Sequence, residues 1–156
     1  MPEEVLVPLG GRLLPRAFPA PEPGDPVLLF DLEIPVRVAV SSPVAPASFP
    51  RPDWTTVVSV EDVDLGVEDW RRLPGREVVI PEDAGLDAAV YLATVHNPVA
   101  LRRIRFRSAG ERCIPGEVEL EIDFRCVKPR PPELARSLRV HWEIRFEVVP
   151  DEDSDS

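Results

Sequence analysis

Between residues 117 and 124 apolar and acidic side chains alternate without a break. Val118, Leu120, Ile122 and Phe124 interleave with Glu117, Glu119, Glu121 and Asp123. A period of two sends successive side chains to opposite faces of a pleated strand, so this segment has an oily side and an acidic side. Residues 138–148 repeat the device, with Leu138, Val140, Trp142, Ile144, Phe146 and Val148 set against Arg139, His141, Glu143, Arg145 and Glu147. The shorter run 101–107 gives Ile104 and Phe106 to the apolar side and Arg103, Arg105 and Arg107 to the other. Together they predict an antiparallel sheet with one buried face.

The first half carries weaker signals of the same kind. In 27–40, Phe30, Leu32, Ile34, Val36, Val38 and Val40 alternate with Asp31, Glu33, Pro35, Arg37 and Ala39. That is a strand pattern, and Pro35, which lacks an N–H, is expected at an edge or a bulge. Residues 54–60 are β-branched and aromatic and predict another strand. The segment 67–73, closed by Pro74-Gly75, suits a single helical turn, followed by a short strand at 76–80 that Pro81 ends. For 88–95 a strand buried on both faces is preferred to a helix over 87–96, because Pro81 and Pro98 leave little room for helical turns. His96-Asn97-Pro98 reads as a turn into the next strand, with 108–110 turning the chain again. Pro115-Gly116 reads as a bulge, and 132–136 could hold one more helical turn.

Prolines change the picture of the N-terminal third. Twelve of the 20 lie in residues 1–52. The stretches 15–26 and 41–52 are expected to hold neither helix nor central strand, since each proline fixes φ and removes a donor. They predict proline-rich connectors, and Phe18 and Phe49 within them suggest segments packed on the domain. The expected architecture is all-β: a single-domain antiparallel β-sandwich over residues 1–150, with a β-barrel as alternative and at most one or two short helical turns. Residues 151–156 read as a disordered acidic tail.

The chain has 156 residues and a net charge of −10, four of those charges coming from Asp151, Glu152, Asp153 and Asp155. An acidic body argues against nucleic-acid binding. No apolar run reaches the ~20 residues of a membrane span, and the N-terminus lacks signal-peptide features, so the expected location is the cytoplasm. Lys128 is the only lysine, Asn97 the only asparagine, and glutamine is absent. This usage follows from GC-rich codons and points to a bacterial source; a thermophile would show it too.

Candidate chemistry is sparse. Cys113 and Cys126 flank one strand and would lie roughly 40 Å apart along it, far beyond disulfide reach. Cys126 continues the inward series of Phe124 and is expected in the core. The spacing of His96, Cys113, Cys126 and His141 contains no zinc-type pair, so no metal and no cofactor is expected. Gly10-Gly11 is not a phosphate loop. His96 is expected to cap its turn, and His141 to be a surface residue beside the acidic row. Arg103, Arg105 and Arg107 are expected to pair with that row and set the register of a hairpin. Trp70, beside Glu68, Asp69, Arg71 and Arg72, is the candidate exposed aromatic anchor.

The expectation is therefore a non-catalytic binding protein, of immunity or accessory type, that recognises a basic protein partner. The candidate binding residues are Trp70, Glu119, Glu121, Asp123, His141 and Glu143. The alternative is a small hydrolase or small-ligand-binding β-fold with a polar cluster of His141, Glu143 and Asp123.

Overall fold

The computed structural model of the protein describes residues 6–18, 27–38, 55–81, 84–92, 95–107, 112–127 and 137–149. They form nine strands: β1 (Leu6–Pro8), β2 (Gly11–Phe18), β3 (Val27–Val38), β4 (Thr55–Val63), β5 (Glu77–Val79), β6 (Ala88–Leu92), β7 (Val95–Phe106), β8 (Cys113–Asp123) and β9 (Ser137–Val148). The one helical element described is a 3₁₀ turn at Trp70–Arg72. No helix among the described residues is long and apolar enough to cross a membrane.

The chain is all-β, as the alternation requires. Its strands do not divide into two sheets. They pair in the order β3-β2-β9-β8-β7-β6-β4, and β4 returns to pair with β3, so seven strands close a ring. This pairing fits the barrel and not the sandwich. Closure removes sheet edges, which a sandwich would have had to protect. All neighbours are antiparallel except β2 and β9, which run parallel over Gly11–Leu13 and Phe146–Val148. The ring is packed with apolar side chains, among them Phe30, Phe106, Phe124, Phe146, Leu32 and Ile34, all essentially unexposed.

The prolines do not exclude central strands. β2 runs through Pro15 and lies between β3 and β9, contrary to the expectation for residues 15–18. The Leu13 carbonyl accepts from Val149 N at 2.8 Å, so Leu13 directs its polar groups toward β9. By the two-residue alternation Pro15 directs its nitrogen the same way, past the end of β9, and the β3 ladder loses no donor. Pro35 obeys the same rule. Its carbonyl accepts from Leu9 N at 2.8 Å, so its nitrogen faces the break between β1 and β2 and not β4. It sits at an irregularity, as expected, but inside the ring. The connector expectations for 19–26 and 41–52, Phe49, the helical turn at 132–136 and the acidic tail lie outside the described residues.

Three local expectations are corrected. His96-Asn97-Pro98 is not a turn: β7 begins at Val95, and these residues pair with Tyr91, Val90 and Ala89 of β6. Asn97 is fully buried, its amide donating to the Val90 carbonyl at 3.2 Å, so the polar residue that suggested a turn holds the two strands together. β6 is a strand but not buried on both faces, because Tyr91 points outward and is 51% exposed. Cys126 is exposed and not core. β8 ends at Asp123, whose carboxylate accepts from Arg125 N at 2.9 Å. Val127 N then donates to the Phe124 carbonyl at 3.0 Å, and the turn delivers Val127 to the inward place that a continuing strand would have given Cys126. Both cysteines are free thiols.

The segment between β4 and β5 holds the predicted helical turn. Asp69 caps it by accepting from Arg71 N at 3.0 Å. Leu65 and Leu73 insert into the core, and Arg76 Nε ties the segment down by donating to the Leu65 carbonyl at 2.6 Å.

Candidate functional site

The outer face of β7, β8 and β9 is the charged surface that the alternation predicts. Arg103 lies across from Glu119 and Arg105 from Glu117, while Glu117, Glu119 and Glu121 lie across from Glu143, His141 and Arg139. The carboxylates are engaged within the protein. Glu117 meets Arg107 at 2.5 Å, Glu143 meets the same guanidinium at 3.0 Å, Glu121 meets Arg102 at 3.5 Å, and Glu119 meets Arg103 at 3.7 Å. Arg103 also reaches Glu77 of β5 at 3.0 Å. His141 Nε2 lies 3.2 Å from Glu117 and Nδ1 lies 3.9 Å from Glu119. The Arg107 hydrogen bond, helped by His141, holds the Glu117 carboxyl below the ordinary carboxylate range, and the Arg107 guanidinium is correspondingly raised. These pairs are solvent-accessible and set register more than they add stability.

The six candidate residues fall in separate places. Glu119, Glu121, His141 and Glu143 share this face. Asp123 sits six residues from Glu117 along β8, about 20 Å away, and is held by Arg125 Nε at 2.8 Å. His141, Glu143 and Asp123 therefore do not converge into the polar cluster that a hydrolase needed. Trp70 is half-buried against the core, with the Arg71 guanidinium 4.9 Å from its ring centre; it covers the core more than it offers an anchor.

A second surface lies on the outer face of β4, β6 and the start of β7. It is a groove of about 320 Å³ lined by Val57, Ser59, Glu61, Asp87, Ala89, Tyr91 and His96. Its shape follows from the register. Ser59 lies across from Ala89, and Tyr91 from His96, so small side chains floor the middle and two rings wall one end. The rings are 5.0 Å apart at 57°. Glu61 and Asp87 close the other end, joined by Glu61 N donating to the Asp87 carbonyl at 2.9 Å. Asp87 is four residues from Tyr91, which makes the groove about 13 Å long.

A β-bulge aims Glu61. Opposite Asp31, β4 carries an extra residue, and Asp62 takes the left-handed conformation with φ 56°. Asp62 N donates to Asp31 Oδ1 at 3.1 Å, and Arg16 bridges Asp31 and Asp62 at 2.5 and 3.7 Å. A bulge bends its strand and re-aims the side chains beside it, and Glu61 is the residue next to this one. Sequence reasoning missed this groove because it placed His96 in a turn and Tyr91 in a buried strand. The available signal was the acid-rich run Glu61, Asp62, Asp64, Glu68 and Asp69 beside the small residues Ser59 and Ala89. Among the described residues, no group of three or more His, Cys, Asp or Glu side chains is placed to hold a metal ion.

Compared with known proteins, the chain matches no family model, and no curated protein or solved structure resembles it significantly.

Proposed function

We propose that the chain is a non-catalytic binding protein of the bacterial cytoplasm that recognises a basic protein partner. The observation that carries this reading is the unequal use of the carboxylates. On β7–β9 nearly every outward acid is matched by an arginine. Around the end of β4, Glu61, Asp64, Glu68 and Asp87 form no ion pair among the described residues, and among those residues no arginine or lysine lines the adjoining groove, whose one imidazole, His96, stands at the end away from Glu61 and Asp87. An excess of unmatched negative potential on one side of a net acidic protein steers it toward positive partners and raises their association rate. The closed, side-chain-filled ring supports a binding role over a catalytic one, since it leaves outer surfaces as the places for recognition.

The test is fluorescence anisotropy of the full chain with a labelled basic peptide and its acidic counterpart, at low and high salt. The basic peptide is expected to bind and to weaken as salt rises, and the acidic one not to bind. Equal binding of both, or binding insensitive to salt, would refute the reading.

A further inference from the structure

We propose that the groove on β4, β6 and β7 is a receptor for one arginine side chain of the partner protein. The guanidinium would sit between Glu61 and Asp87, and the methylene stem would run over Ala89 toward the Tyr91 ring. The inference rests on the basic-partner reading and names the group that this surface recognises.

Four features converge on a long cation with an apolar stem. The groove is amphipathic lengthwise, with an aromatic wall at one end and two carboxylates at the other. Its floor, Ser59 and Ala89, is small because larger side chains there would fill the depression. The two acids stand on neighbouring strands, whose backbones are about 5 Å apart, so their four oxygens present a broad acceptor to a planar fork of N–H donors. Tyr91, 51% exposed, is the largest exposed aromatic side chain described and offers an apolar face against which the stem and the adjoining backbone of the ligand can pack.

Arg16 attracts Glu61 through space but forms no ion pair with it. Arg16 is held by Asp31 and Asp62, where it fixes the bulge, and is not among the groove's lining residues. Arginine suits the site better than lysine. A point charge on a flexible stem can meet one carboxylate well, whereas the planar fork can meet both while its stem runs toward the ring. The partner is a protein and not free arginine, because an open groove on a strand face leaves the α-carbon end of the ligand outside, where a polypeptide would continue.

Isotope-labelled full-length protein titrated with a blocked Gly-Arg-Gly peptide tests this by amide shifts in the NMR spectrum. Lysine and citrulline counterparts and free arginine serve as the other arms. Shifts are expected at Ser59, Ala89 and Tyr91, with arginine bound about threefold or more tighter than lysine and about tenfold or more tighter than citrulline, which keeps the shape and loses the charge. Glu61→Gln with Asp87→Asn should lower affinity about tenfold, Tyr91→Ala severalfold, and Tyr91→Phe hardly at all. All three positions are exposed and line the groove, and a spectrum of unchanged dispersion verifies the fold of each variant.

Citrulline binding as tightly as arginine, or undiminished affinity in the double variant, would overturn the proposal. Free arginine binding as tightly as the peptide would overturn the assignment to a protein partner. Peptide shifts confined to β8, β9 and residues 101–106 of β7 would sink the groove while leaving the basic-partner reading intact; no binding of any basic peptide would sink both.

Discussion

Arg105 lies directly across from Glu117 in the β7–β8 ladder, yet the guanidinium that holds Glu117 belongs to Arg107, one outward position further along. The reason is on the other side of β8. Glu117 faces Glu143 of β9, a like-charge pair that a sheet does not favour. Arg107, where β7 ends, can swing across and bridge both acids, at 2.5 and 3.0 Å. The direct neighbour Arg105 is not the bridge.

Removing the two arginines should therefore have unequal effects. Arg107→Ala leaves Glu117 and Glu143 opposed without a counter-ion, while Arg105→Ala removes no recorded partner of Glu117. The melting temperature should fall further in Arg107→Ala, and the difference should shrink at high salt because the site is exposed. Equal losses at both positions would show that the bridge has no energetic role.

The same bridge gives a pH dependence with a definite sign. The Glu117 carboxyl is lowered from its ordinary value of 4.5, chiefly by the Arg107 hydrogen bond and then by His141. A depressed folded-state pKa contributes stability that is present above the unfolded value and lost as pH falls through the folded one. The Glu117 contribution should thus be complete above about pH 5 and disappear in the acid range below 4.5. Carboxyl NMR should show Glu117 titrating below that ordinary value and returning toward it in Arg107→Ala. Titration unchanged by the substitution would remove Arg107 as the cause.

The core supplies larger effects. Phe124 is unexposed and Trp142 is 2% exposed, so truncating either to alanine should cost about 3–5 kcal/mol in denaturant unfolding. Gly116 should be sensitive for a different reason. A Cβ there would collide with the Arg105 carbonyl and the Phe146 ring, so Gly116→Ala should cost about 1–3 kcal/mol despite adding only one carbon. A neutral Gly116→Ala would mean that β7 and β9 can move apart at this point.

How much of this could be read from the sequence depends on the element. β9 was legible residue by residue, and β8 from Glu117 to Asp123, because each has one dry and one wet face and therefore alternates; Pro115-Gly116, expected as a bulge, instead continues the ladder in register with Arg145 and Ile144. The pairing of Arg103 with Glu119 follows from that alternation plus a short connection. β1 and β2 were not legible. Gly10, Gly11 and Pro15 are breakers in isolation, and only the neighbouring strands determine that Pro15 owes no hydrogen bond to β3. The groove was hidden for a related reason: Tyr91 and His96 meet across a hairpin that turn-forming residues obscured. Ring closure also left no local trace, since Ile34 pairing with Val58 is a contact between strands that each look complete alone.

Closure can be tested with a staple. Glu33 of β3 lies across from Ser59 of β4, both on the outer face. Pro35 directs its carbonyl away from β4, so by the two-residue alternation Glu33 and Ser59 form a non-hydrogen-bonded pair, with Cα atoms about 4.5 Å apart. That is within disulfide range, whereas strands in opposing sheets of a sandwich would stand about 10 Å apart. In a background with Cys113 and Cys126 changed to serine, Glu33→Cys with Ser59→Cys should oxidise spontaneously, lowering the mass by about two daltons. The staple should raise thermal stability, since it closes a loop of some 25 residues in the unfolded chain. Two thiols that stay reduced under mild oxidant in a folded protein would mean that β3 and β4 are not neighbours, and the ring would be open.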